Sequence, residues 1–293
     1  MIGLVGLGRM GGAMAQRLTE QGFEVVGWDH DRQASGAAQK RGLRLAADAR
    51  EVAAQADIVI SIITEDSGVR RLFIGDAGFL EADVAGKLFV EMSTLRPATG
   101  RELAPLVAAR GARLIESPVL GTIPSVRDGK LVALVGGEAG DVERARPVLE
   151  KLTRRIVHLG GNGSGYAMKL AVNLGLGAYI EALAESLALG ARHGLTLDQM
   201  LDVLKEAPTA TGWLTAKIPV LKGEKADVTL DLVTLRKDLM SAVATGTAAG
   251  VPMPVAAGTL SALSAAVAAG AGRGDLAELA QLVRDRMVQR YGD

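Results

Sequence analysis

Six stretches in the first 160 residues set Val, Ile and Leu at consecutive positions rather than alternate ones: IGLVG (2–6), FEVVGWD (23–29), DIVISII (57–63), KLFVEMS (87–93), RLIESPV (113–119) and KLVALVGG (130–137). Continuous apolar runs of this length suit strands buried on both faces. Ala-rich segments of helical length separate them. The alternation predicts βαβ units and a doubly wound parallel sheet covered by helices on both sides.

The pattern changes at HLGGNGSG (158–165), where five Gly or Asn residues fall in eight positions. Such turn-forming clusters mark boundaries. Residues 166–193 then read as one long helix ending at RHG, and the rest as further helices separated by APTATG, GEKADVT and GVPMP. The expected organisation is an α/β domain over 1–160 and an all-helical domain over 161–293, joined by the long helix. The Ala- and Gly-rich segment from Ser241 to Gly272, interrupted by GVPMP, reads as two packed helices and not as a membrane span.

Composition narrows the function classes. A chain of 293 residues sits near the size at which single cores divide, in keeping with two domains. Its 48% apolar and 23% charged residues are an ordinary globular mix, and 33 basic residues balance 33 acidic ones. That balance offers no basic footprint for nucleic acid and no polybasic segment for a membrane surface, so a small-molecule partner is expected. Cysteine is absent, which removes thiolate catalysis and thiolate metal sites, and the three histidines, His30, His158 and His193, are too dispersed for a metal site. The opening MIGLVGLGRM has no basic n-region and enters a strand pattern at once, which makes the cytoplasm the expected location.

The first candidate site is VGLGRMGGAMA (5–15), with Gly6, Gly8 and Gly11 spaced as GxGxxG between a strand and a helix. In that context the first glycine makes a tight turn, the second admits a pyrophosphate to the backbone, and the third allows strand and helix to pack closely. Leu7, Arg9 and Met10 complete the turn. The domain is therefore expected to be a Rossmann dinucleotide-binding domain. Asp29 ends the next strand, 23 residues after Gly6, where an acid accepts hydrogen bonds from the adenosine ribose and repels a 2′-phosphate. The same residue also suits an N-cap for the following helix. Asp31 favours NAD further, whereas Arg32 offers a partner for the phosphate of NADP.

The second candidate lies in GYAMKLAVN (165–173), where Lys169 and Asn173 fall on one face of the long helix. Glu181 and Glu185 continue the four-residue spacing, so a solvated stripe fits the periodicity as well as a substrate-facing pair does. The glycine-rich hinge just before the helix favours a cleft there.

Five ordered stretches together resemble the β-hydroxyacid dehydrogenase family: GLVGLGRMGGAMAQRL, EMSTLRPAT (91–99), ESPVLGTIPSVRDGKLVALVGG (116–137), GSGYAMKLAVN (163–173) and LRKDL (235–239). The resemblance covers nearly the whole chain. It implies hydride transfer between a nicotinamide cofactor and a small β-hydroxyacid, or the corresponding semialdehyde or keto acid. It implies Lys169 as general acid/base with Asn173 one turn on, Thr94 on the nicotinamide side, Lys237 near the cofactor, and Ile62, Ile63 and Thr64 in a cofactor-flanking loop that lacks the usual Leu-Pro. Its substrate loop falls on Leu120, Gly121 and Thr122, with Leu120 where a serine is usual. The chemistry needs a group such as Lys169, because moving hydride to or from a hydroxyl-bearing carbon leaves a proton to be managed on the oxygen. Helical domains of this kind imply a homodimer or homotetramer. An imine reductase resembles this architecture but commonly differs at the lysine position. A phosphogluconate-type enzyme would need more cations than Arg127 and Lys130, and a non-catalytic NAD(H) sensor would not need Lys169.

Overall fold

The computed structural model describes residues 1–291, with side chains as far as Arg284. It has two compact units, Met1–Leu170 and Ala171–Asp293, which divide inside the long helix, ten residues beyond the boundary expected at 160. The glycine-rich stretch is part of the first unit.

In that unit the strands are β1 (Ile2–Val5), β2 (Val25–Trp28), β3 (Arg44–Leu45), β4 (Ile58–Ser61), β5 (Leu88–Glu91) and β6 (Arg113–Glu116). They form one parallel sheet in the order β3-β2-β1-β4-β5-β6. This is the doubly wound order of dinucleotide-binding sheets, whose ligand crevice opens where the order reverses, between β1 and β4. The helices α1 (Arg9–Glu20), α2 (Arg32–Lys40), α3 (Ala49–Gln55), α4 (Asp66–Ile74) and α5 (Pro97–Ala108) connect the strands. Consecutive apolar residues serve both faces: Leu4, Ile60 and Val90 enter one core, while Val5, Val59 and Phe89 enter the other. The second core holds Phe73, Phe79 and Phe89 with ring centroids 5.0–5.3 Å apart.

The last predicted run, 130–137, does not extend this sheet, and the run before it joins only through its first four residues. The run 113–119 breaks after Glu116, because Pro118 has no N–H to give a ladder, and the chain resumes as β7 (Val119–Leu120). After α6 (Ile123–Arg127), β8 (Leu131–Val135) pairs antiparallel with β7 and parallel with β9 (Thr153–His158), which follows α7 (Ala139–Leu152). β9 carries exposed Arg154 and Arg155, which hide its strand character from a search for apolar runs, and β3 has only two residues. The long helix is α8 (Ser164–Arg192), two residues earlier at its start than the composition change suggests.

The second unit continues α8 with α9 (Leu197–Leu204), α10 (Gly212–Leu221), α11 (Leu232–Ala248), α12 (Pro254–Ala266) and α13 (Glu278–Tyr291), with no strand among the described residues. Thr196 and Gln199 form a capping box on α9, and Thr211 and Asp231 cap α10 and α11. α11 and α12 pack against each other as expected, with Leu239, Leu263 and Ala266 in one core. By length and composition alone, α8 and the stretch Pro254–Ala271 are long and apolar enough to cross a membrane, yet both place leucines in the cores of this unit. A buried ion pair closes the loop between α10 and α11: Lys217 Nζ lies 2.6 Å from Asp275 Oδ2 and donates to Thr229 Oγ1 at 2.8 Å. Asp275→Asn leaves that ammonium without a counter-charge and is expected to cost about 3–5 kcal/mol in denaturant unfolding. A loss below about 1 kcal/mol would show that the pair behaves like an exposed bridge.

Candidate functional site

The turn after β1 assigns each glycine of the fingerprint its own task. Gly6 has φ +92°, and a Cβ on it would overlap the Ile62 carbonyl oxygen; a Cβ on Gly11 would overlap the carbonyl oxygen of Gly6. Both glycines are required by the protein's own packing. At Gly8, by contrast, a Cβ would meet nothing within 4 Å, and Gly8 is the N-cap of α1 with no side chain capping the helix. The free space and the helix N-terminus together suit the pyrophosphate of a dinucleotide. Arg9 is exposed there, and Met10 packs against the first core.

Asp29 holds this turn from the end of β2. The Leu7 N–H donates to Asp29 Oδ2 at 2.6 Å, the Asp31 N–H donates to Oδ1 at 2.8 Å, and His30 Nδ1 lies 3.0 Å from Oδ1. The cap of α2 is Asp31, whose carboxylate accepts from the Gln33 N–H, so Asp29 is released from that role. A cavity of about 470 Å³ opens beside it, lined by Gly6, Asp29, Ile63, Thr64, Glu65 and Arg71 among others. The loop after β4 is tied on both sides, with the Ile62 N–H donating to Val5 O at 2.9 Å and the Ile63 N–H donating to Ser93 Oγ at 2.8 Å. Thr94, half-buried, follows Ser93.

Two glutamates that read as ordinary strand residues turn out to be wholly buried. Glu91 and Glu116 are register partners at the ends of β5 and β6, each with 0% exposure. Glu91 Oε2 accepts from the Tyr166 hydroxyl at 2.6 Å and the Ser93 N–H at 2.9 Å, while Oε1 accepts from the Ser93 hydroxyl. Glu116 Oε1 accepts from the N–H groups of Gly163 at 2.7 Å and Gly165 at 2.8 Å, at the start of α8. Burial pushes the Glu116 carboxyl up, and these backbone donors oppose the shift. Burial pushes Glu91 up from 4.5 to about 7 against hydrogen bonds from Ser93, Tyr166 and Ser61.

Lys169 is half-buried on α8, one turn after Tyr166. Within the second unit, Asn173 is 4% exposed, which separates it from a solvated stripe, and its Nδ2 donates to Asp238 Oδ2 at 2.6 Å. Lys237 Nζ lies 2.9 Å from Asp238 Oδ1. The predicted residues Asn173 and Lys237 are thus joined by an acid the sequence reading passed over, although it stands next to the lysine in LRKDL. Leu120, Gly121 and Thr122 form the β7–α6 turn, with Gly121 at φ +128° and Thr122 as N-cap of α6, and they are not among the residues lining the 470 Å³ cavity.

Two expectations test this geometry. Gly8→Ala should keep the unfolding midpoint and weaken dinucleotide binding, whereas Gly11→Ala should destabilise the fold itself; equal stability loss in both would contradict the division of roles. For Glu91, a carboxyl whose folded value lies above its unfolded one takes up a proton on folding, so its contribution is most favourable below 4.5 and is lost as pH rises to about 7. At about 1.36 kcal/mol per pH unit, the parent should lose about 3 kcal/mol across that window relative to Glu91→Gln. Parallel stability profiles for the two proteins would exclude the shift.

Comparison with known proteins agrees with the fold. Residues 1–160 match the family model for the NAD-binding domain of 6-phosphogluconate dehydrogenase, and residues 163–283 match that for the NAD-binding region of NADP-dependent 3-hydroxyisobutyrate dehydrogenase. A 3-hydroxyisobutyrate dehydrogenase of Pseudomonas aeruginosa is 39% identical over 70% of this chain and 69% of its own length. The glyoxylate/succinic semialdehyde reductase 1 of Arabidopsis thaliana is 29% identical over 97% of this chain and 98% of its own. A Mycobacterium tuberculosis 3-hydroxyisobutyrate dehydrogenase solved with L-serine superposes with a TM-score of 0.86 at 28% identity, covering 97% of this chain and 98% of that one. Ordered motifs, doubly wound sheet and full-length similarity lead to one assignment: the chain belongs to the β-hydroxyacid dehydrogenase family of NAD(P)-dependent oxidoreductases.

Proposed function

We propose that the protein interconverts a small β-hydroxyacid and its semialdehyde or keto acid, with Lys169 as general acid/base and NAD(H) as the preferred cofactor. The observation that carries the reading is Lys169 itself, a half-buried cation on the second turn of a helix whose first turn is fixed to the ends of β5 and β6. When bound, the nicotinamide supplies or accepts the hydride. In oxidation the neutral Lys169 amine takes the proton of the substrate hydroxyl; in reduction its ammonium stabilises the developing alkoxide and then protonates it. Asn173, oriented by Asp238, supports the substrate or the lysine from the next turn.

Cofactor preference rests on charge. Asp29, Glu65 and Asp76 surround the cavity beside the glycine turn, against Arg71 and His30, and Arg32 is not among its lining residues. A 2′-phosphate would meet three carboxylates there. The Leu120-Gly121-Thr122 turn is the proposed substrate-carboxylate site, with Leu120 making it drier than a serine would. The names of the relatives suggest 3-hydroxyisobutyrate, L-serine, glyoxylate and succinic semialdehyde as the first compounds to assay with both cofactors. Exposed Leu189, Val203 and Val255 in the second unit support a homo-oligomer.

Lys169→Met keeps the apolar stem of the side chain and should leave folding and NAD binding intact. Its single-turnover hydride transfer should fall by about 10²-fold or more, the usual contribution of a positioned proton-transfer group. Any rise in oxidation rate with pH that comes from deprotonating this amine should disappear with it. A loss smaller than about tenfold would remove Lys169 from the chemistry.

A further inference from the structure

The two buried glutamates do different things, and only one is explained by anchoring a helix. Glu116 collects the backbone N–H groups of Gly163, Gly165 and Tyr166 and so caps α8. Glu91 makes no hydrogen bond to the α8 backbone; it accepts from the side chain of Tyr166 instead. A second buried carboxylate opposite the first is expensive to desolvate, and an apolar residue would hold the tyrosine ring as well. What Glu91 adds is a connection. The Ile63 N–H donates to Ser93 Oγ, the Ser93 hydroxyl donates to Glu91 Oε1, and the Tyr166 hydroxyl donates to Glu91 Oε2. Ser61 Oγ adds a longer contact at 3.4 Å. The chain runs unbroken from the loop beside the dinucleotide cavity to the first turn of α8, and Lys169 stands three residues beyond Tyr166, its neighbour on the helix surface.

We infer that Glu91 and Tyr166 are positioning residues for Lys169: through the Ile63–Ser93–Glu91–Tyr166 chain they fix the lysine-bearing turn of α8 to the cofactor-flanking loop. The inference rests on the reading of Lys169 as acid/base. Tyr166 is 1% exposed and packs in the second core with Leu103 and Leu114, so its ring stays seated when the hydroxyl alone is removed. Fixing such a turn matters because misplacing a catalytic group by about 1 Å can cost about 10²-fold in rate.

The test uses the full-length protein as Tyr166→Phe, Glu91→Gln and the double variant, with Lys169→Met as reference. Single-turnover hydride transfer at saturating NAD and substrate should fall about tenfold in each single variant, with the cofactor Kd changed less than about twofold. The double variant should be no slower than the slower single one, because both changes cut the same chain. Hydrogen exchange at the Ile63 amide, which donates to Ser93 and not to Tyr166, should quicken in Tyr166→Phe. If Glu91→Gln does not fold, Tyr166→Phe decides alone, since it deletes one oxygen atom. Unchanged transfer and unchanged Ile63 exchange in Tyr166→Phe, or rate losses that multiply in the double variant, would overturn the inference while leaving the Lys169 assignment standing. A parent without hydride transfer, or a Lys169→Met variant as fast as the parent, would overturn both.

Discussion

One row of paired residues sets the geometry of the first unit. Because the six strands of the large sheet are parallel, their carboxyl ends fall on one edge, and register aligns Trp28, Val5, Ser61, Glu91 and Glu116 across five of them. The residues that follow along that edge include Gly6, Asp29 and Ile62, which is where the glycine turn, the acid that holds it and the loop after β4 meet. A slip of one residue in any strand would turn its terminal side chain to the other face and dismantle the row. The two apolar cores hold that register in place by drawing alternate residues of each strand to opposite sides.

Along this edge, carboxylates hold backbone in position. Asp29 accepts from the Leu7 N–H ahead of α1, and Glu116 accepts from the N–H groups that open α8. Each satisfies amides at or near a helix start, where the helix dipole also favours negative charge. Asp238 does the comparable task for side chains in the second unit, holding Asn173 on one oxygen and pairing with Lys237 on the other. Buried acids of this kind cost desolvation energy, and the compensating hydrogen bonds give each of them a single geometry.

The parts legible in the sequence are those with a local signature. The glycine fingerprint, the continuous apolar strands of the large sheet and the change to helix near residue 160 follow from neighbouring residues alone. What stayed hidden depends on partners distant in sequence. Glu91 and Tyr166 are 75 residues apart and Asn173 and Asp238 are 65 apart, so no spacing rule connects them. A glutamate at the end of an apolar run looks like the point where a strand meets water, and its burial appears only once the neighbouring strand and α8 are in place. The capping role offered to Asp29 was likewise open, because an aspartate at the end of a strand suits the next helix until that helix's start is known, and the cap is Asp31 instead. β9 was missed for the opposite reason: as an edge strand with two exposed arginines it owes its conformation to pairing with β8 rather than to apolar content.

The same distinction bears on how the α8 segment is specified. GYAMKLAVN gives Lys169 and Asn173 one helical face by periodicity, but the facing direction of a helix is decided by what grips it. The grip is Glu116 on the backbone and Glu91 on Tyr166, both supplied by strands that end about 50 and 75 residues earlier. A helix held at its first turn by two hydrogen-bonded carboxylates has little freedom to rotate about its axis, and rotation is the motion that would carry Lys169 away from its side of the helix. Propensity alone would make α8 a helix, whereas the buried carboxyl groups at the sheet edge, through the bonds they accept, set which side of the helix its lysine occupies.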